Sequence, residues 1–111
     1  MTEAVITSRS RPVSTLAETL AVLRANEQRI RALGATALYV YGSAARDELQ
    51  AESDVDLFVD YDPASTFSFV ELFDLRDLMA ERLGRNVDLT TRKGLHPRLS
   101  TRIEATAVRA I

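Results

Sequence analysis

The sequence predicts an α/β (α+β) fold, a small mixed β-sheet flanked by helices, and three observations carry that expectation. Two stretches, Ser14 to Gly34 and Phe67 to Gly84, space their apolar residues three and four apart, as amphipathic helices do. Three short runs, Ala35 to Tyr41, Asp54 to Tyr61 and Asn86 to Thr91, are rich in β-branched and aromatic residues and alternate in polarity. The two kinds of segment interleave along the chain, which suits helices packed on a sheet.

Each element has a local justification. Met1 to about Ser14 is polar and aperiodic and is expected to be a flexible arm preceding a single domain over residues 15–111. The first helix opens with Thr15 and Glu18 spaced as a capping box, places Leu16, Leu20, Leu23 and Ile30 on one face, and stops near Gly34. "ATALYVY" then reads as a strand ending at Gly42, followed by a short helical turn from Ser43 and a polar connection, "DELQAES". In the second strand Val55, Leu57 and Val59 point one way, and Asp54, Asp56, Phe58 and Asp60 the other. The second long helix has Ser68 and Glu71 as its capping box and Gly84 at its end. The third strand turns Val87 and Leu89 inward and Asn86, Asp88 and Thr90 outward, and "HPRLSTRIEATAVRAI" predicts a last helix with Pro97 in its first turn. The expected order is αβ(α)βαβα.

Composition narrows the function classes. The chain has 111 residues, 46% hydrophobic and 27% charged, which fits one compact globular unit. Its net charge of -2 argues against a general nucleic-acid binder, which would be basic. There is no cysteine, so disulfides and thiolate metal sites are excluded. The N-terminal stretch lacks a continuous apolar core, so neither a signal peptide nor a membrane span is expected and a cytoplasmic location is the default.

The chemistry-bearing residues lie between Tyr41 and Pro63. Aspartate is a poor strand former, yet Asp54 and Asp56 share one face of a strand, with Cα atoms roughly 6.5 Å apart. The triplet Val-Asp-Leu recurs at Val87-Asp88-Leu89, so a third carboxylate joins the pair if the two strands are neighbours. Such a cluster repels itself unless a cation relieves it, and Mg²⁺ takes carboxylate oxygens while keeping positions open for substrate phosphates. Two such ions could clamp an in-line phosphoryl displacement. Gly42 lets the backbone approach a ligand closely, Ser43 opens a helical turn whose free N–H groups favour an anion, and Arg46 can lend its guanidinium to phosphates. Singly these features are weak: a Gly-Ser pair is most often only a turn, and Asp-x-Asp can be the wet face of an edge strand. His96, Asp60 and Asp62 read as structural, and Arg85, Arg92, Lys93, Arg98, Arg102 and Arg109 as a solvated surface.

In combination, Gly42-Ser43, a gap of ten residues from Ala44 to Ser53, and Asp54-Val55-Asp56 resemble the signature of the polymerase-β-like nucleotidyltransferase superfamily. The short chain and its C-terminal segment look like the minimal nucleotidyltransferase (MNT) branch, the antitoxins of HEPN/MNT toxin–antitoxin pairs. The resemblance implies a nucleotidyltransferase fold with ATP as substrate and Mg²⁺, two ions, as cofactor. It implies that Asp54, Asp56 and Asp88 are catalytic and hold the metal, that Asp88 helps deprotonate the acceptor, and that Gly42, Ser43, Arg46 and Ser53 bind the nucleotide. The implied activity is transfer of AMP to a tyrosine of a partner HEPN ribonuclease toxin, which silences it. The alternatives are a non-catalytic antitoxin that inhibits by stoichiometric binding, and an acceptor that is a small molecule or an RNA end. The chain departs from the family pattern at Asp47, where many relatives carry Gly.

Overall fold

The computed structural model describes residues 12–111, so most of the expected N-terminal arm lies outside the described residues. Of its last three residues, Val13 is built into the folded body: it is 5% exposed, and its N–H donates to the Leu83 carbonyl at 3.0 Å. An apolar side chain beside two long helices has a place to be buried, which polar composition alone does not reveal.

The long first helix is two helices, α1 (Leu16–Ala25) and α2 (Glu27–Ala32), divided at Asn26. The Thr15 hydroxyl accepts from the Glu18 N–H at 3.0 Å, as expected of the cap, but the Glu18 carboxylate reaches the N–H of Ser14, one residue earlier than a capping box requires. Next come β1 (Ala35–Tyr41), the single turn α3 (Gly42–Ala45) and β2 (Val55–Tyr61). The helix α4 (Phe69–Leu83) begins in the expected Ser68–Glu71 capping box and ends at Gly84, whose φ of 70° is the left-handed stop that glycine accepts without strain. Hydrogen bonds from the Ser68 hydroxyl and backbone hold the Glu71 carboxyl below the usual carboxylate range.

After β3 (Val87–Thr91) the chain departs from the expected single helix. A 3₁₀ turn over Arg92–Gly94 comes first, Pro97 precedes α5 (Ser100–Thr106) instead of entering it, and Val108–Arg109 forms a short strand, β4. The tail ends as a strand because it has a strand edge to pair with: β4 lies antiparallel to β1, with Tyr39 opposite Arg109 and Val40 opposite Val108. Buried Ala110 and Ile111 then close the edge.

The sheet order is β3-β2-β1-β4, with β1–β2 antiparallel and β2–β3 parallel. One face carries Leu38, Val40, Val55, Leu57 and Val59 into the core, packed against Leu23, Ile30, Leu75, Met79 and Leu83 of the helices. The opposite face carries the polar and aromatic residues. No helix among the described residues is long and apolar enough to cross a membrane.

Candidate active site

Strand register sets the site. Tyr41 is opposite Asp56 on the antiparallel side, and Asp56 is opposite Asp88 on the parallel side, so three side chains stand in one row on the face away from the core. The next row is Tyr39, Phe58 and Thr90. Asp54 sits one residue before β2 and is exposed. Register pairs Asp56 with Asp88, and Asp54 lies at the same end of the sheet, where β1 stops and β2 and β3 begin.

Electrostatics reports that meeting. The Asp56 carboxyl is pushed up to about 6, first by burial, then by the charges of Asp88 and Asp54, with Arg46 opposing. The same surroundings push the Tyr41 phenol up to about 12, through burial and then Asp56 and Asp88. Negative charge at this end exceeds what nearby cations neutralise. The donor set is one that a hard cation fits. Among the described residues no three acidic or histidine side chains converge as a ready-made cage. Mg²⁺ does not require one, since it is commonly held by one or two carboxylates together with substrate phosphates.

The turn after β1 lies against these carboxylates. Gly42 has φ of 69°, and a Cβ placed on it would meet Asp56 Oδ2 at 2.5 Å. Glycine is thus favoured here twice over: it accepts the left-handed backbone without strain, and any side chain would push the Asp56 carboxylate aside. Ser43 follows in α3, half-buried, its carbonyl accepting from the Glu48 N–H at 2.8 Å. A single helical turn leaves its first N–H groups outside its own hydrogen bonds, and here they begin beside the carboxylate row.

Other predicted residues are placed differently. Arg46 is exposed and its Nε donates to Glu48 at 3.0 Å, a surface pair weak enough for a phosphate to displace. The Ser53 hydroxyl accepts from the Gln50 N–H at 3.0 Å and so shapes the loop leading into β2. Asp47 adopts φ of 60°, in the left-handed region that glycine favours, and its carboxylate accepts from the Leu16 N–H at 2.7 Å, capping α1. Two arginines read as solvated surface are structural. Arg85 donates to the carbonyls of Val13, Gln50 and Ser53, bracing the loop before Asp54. Arg92 forks onto Asp60 at 2.9 and 2.8 Å, reaches Glu104 at 3.0 Å, and stacks 5.0 Å over the Tyr39 ring and 4.9 Å over Phe58. These bonds raise the Arg92 pKa still further. Tyr41 was not singled out from sequence, although strand alternation already put it on the carboxylate face.

Residues 24–109 match the family model described as Polymerase beta, Nucleotidyltransferase. A provisionally named protein adenylyltransferase of Methanocaldococcus jannaschii is 33% identical over 85 residues, covering 76% of this chain and 85% of that protein. Protein adenylyltransferase MntA of Thermococcus cleftensis is 32% identical over 82 residues, covering 73% and 81%. Among solved structures, a provisionally assigned minimal nucleotidyltransferase superposes with a TM-score of 0.64 at 30% identity, over 80% of this chain and 93% of that one. Two more distant structures share the fold. One is a toxin–antitoxin complex with AMP-PNP, at TM-score 0.59 and 22% identity over 78% of this chain and 73% of that one. The other is a tri-AMPylated Shewanella oneidensis HEPN toxin in complex with MNT antitoxin, at 0.57 and 17% over 83% and 71%.

Proposed function

Because the chain belongs to the polymerase beta nucleotidyltransferase family, we propose that it is a Mg²⁺-dependent protein adenylyltransferase of the antitoxin kind. In this reading it moves AMP from ATP to a tyrosine of a partner HEPN ribonuclease toxin in the cytoplasm and thereby silences it. The observation that carries the reading is the row formed by Asp56 and Asp88, with Asp54 beside it, packed against a left-handed glycine turn. The relatives named as protein adenylyltransferases and the neighbour holding an AMPylated toxin support the substrate and the acceptor class.

Each residue then has a task. The N–H groups from Gly42 and Ser43 onward receive the triphosphate, and Arg46 exchanges Glu48 for a phosphate oxygen. Asp54, Asp56 and Asp88 hold the metal, which when bound neutralises charge on the phosphates. The acceptor phenol attacks the α-phosphorus, a new oxygen–phosphorus bond forms, and pyrophosphate leaves with the electrons of the broken bond. Asp88, the exposed member of the row, takes the phenol proton. Positioning and charge neutralisation supply most of the rate.

The test incubates the protein with α-labelled ATP, Mg²⁺ and the product of the neighbouring reading frame as the candidate toxin. Label should transfer to the toxin, and Asp54→Asn with Asp56→Asn should abolish transfer. Equal labelling by the double variant would overturn the site. Full neutralisation by the double variant, at one antitoxin per toxin, would replace catalysis with stoichiometric binding.

A further inference from the structure

Three of the four large hydrophobic side chains exposed among the described residues stand together at the start of α4: Phe69 is 73% exposed, Val70 63% and Phe73 50%. Together they present on the order of 300 Å² of apolar surface, comparable to the largest patch an ordinary monomer exposes, which is often a functional one. The ridge is organised before anything covers it. The Ser68–Glu71 capping box fixes its first turn, the Phe69 and Phe73 rings stack at 6.2 Å, and the Arg76 guanidinium lies 5.2 Å over Phe73. Beside the ridge a cavity of about 320 Å³ is lined by Tyr61, Phe67, Phe69 and Leu72 among others. The rest of the helix is acidic on balance, with Glu71, Asp74, Asp77 and Glu81 against Arg76 and Arg82.

We propose that this end of α4 is the docking surface for the partner toxin, which engages it with an apolar patch rimmed by basic residues. The inference rests on the toxin being the acceptor. Charge selects this occupant. A second copy docking symmetrically would set α4 against α4, acid against acid. An anionic membrane is repelled for the same reason. A nuclease, in contrast, must carry lysine and arginine to hold RNA phosphates, so basic surface is what it has to offer. Placement agrees. The patch begins just beyond Tyr61, five residues along β2 from Asp56, which at ~3.3 Å per residue is about 17 Å away. A protein held there leaves the carboxylate end uncovered, and docking raises the local concentration of its tyrosine at the row.

The experiment measures the affinity of the full chain for the protein encoded beside it, comparing wild type with Phe69→Ser/Phe73→Ser and with Asp74→Lys/Asp77→Lys. The first variant should bind at least thirtyfold more weakly while keeping the wild-type thermal shift with Mg²⁺ and ATP, which shows that it is folded. The second should weaken binding at low salt, with the difference shrinking as salt rises. Unchanged affinity in the first variant, with wild type binding tightly, overturns the docking surface and leaves the proposed function standing. Tighter binding by the second overturns the basic partner surface. If wild type self-associates through this patch and toxin affinity is untouched, the occupant is a second copy. No binding by wild type overturns the toxin reading and the docking surface together.

Discussion

Asp56 and Asp60 lie four residues apart on the same face of β2, and their surroundings could hardly differ more. Asp60 is matched: Arg92 clasps both its oxygens, reaches on to Glu104, and itself lies against the stacked Tyr39 and Phe58 rings. Asp56 is half-buried and then crowded by two like charges, and its proton affinity rises for both reasons. A satisfied carboxylate is architecture. A carboxylate left in debt to its neighbours stores free energy that a cation or a substrate can release, and proteins tolerate this where chemistry is done.

The sharpest way to break the contrast is to neutralise each acid separately. Asp56→Asn should lower AMP transfer to the toxin by at least ~10³-fold, whereas Asp60→Asn should leave turnover within about threefold, measured by label incorporation at saturating ATP. Gly42→Ala comes next. Its methyl would press on Asp56 Oδ2 in a left-handed backbone, so transfer should fall ~10²-fold and urea unfolding should show a loss of about 1–2 kcal/mol. Arg92→Met acts on the matched end. It strands Asp60 and Glu104 at a site that is only partly buried, and should cost about 1–2 kcal/mol by the same measurement.

The smallest effect runs in the opposite direction. Because the folded protein holds the Asp56 proton more tightly than the unfolded chain does, stability contributed by that proton is present near pH 4 and lost as pH rises through about 6. Asp56→Asn should therefore be more stable than wild type at pH 7.5, by about 1 kcal/mol once solvent screening of a half-exposed group is allowed for, and indistinguishable near pH 4. Millimolar Mg²⁺ with ATP should erase the advantage. Wild type gaining stability from pH 4 to 7 relative to Asp56→Asn would refute the crowding.

Much of this was legible in the sequence. Alternation at Val55-Asp56-Leu57 and Val87-Asp88-Leu89 put both carboxylates on one face, and the parallel pairing of β2 with β3 aligned them. The tail was not legible, because β4 exists only where the edge of β1 is free to receive it, a tertiary opportunity that propensity does not encode. Arg85 and Arg92 were misread for a related reason. A surface arginine and one that closes a loop carry the same letter, and the loop and strand partners, Val13 and Ser53 for Arg85 and Asp60 for Arg92, lie 32 or more residues away in sequence. Tyr41 was open to inference from strand parity, but a tyrosine beside Gly42 draws less notice than the glycine.

The ten residues between the Gly-Ser turn and the first carboxylate are pinned near both ends, by Asp47 on the Leu16 N–H and by Arg85 on the Gln50 and Ser53 carbonyls. Surface connections ordinarily absorb insertions, since extra chain adds little closure entropy. This one behaves as a measured spacer. One residue more or fewer would tear it from α1 or from Arg85, so the length of that interval is set by mechanical anchorage as much as by chemistry.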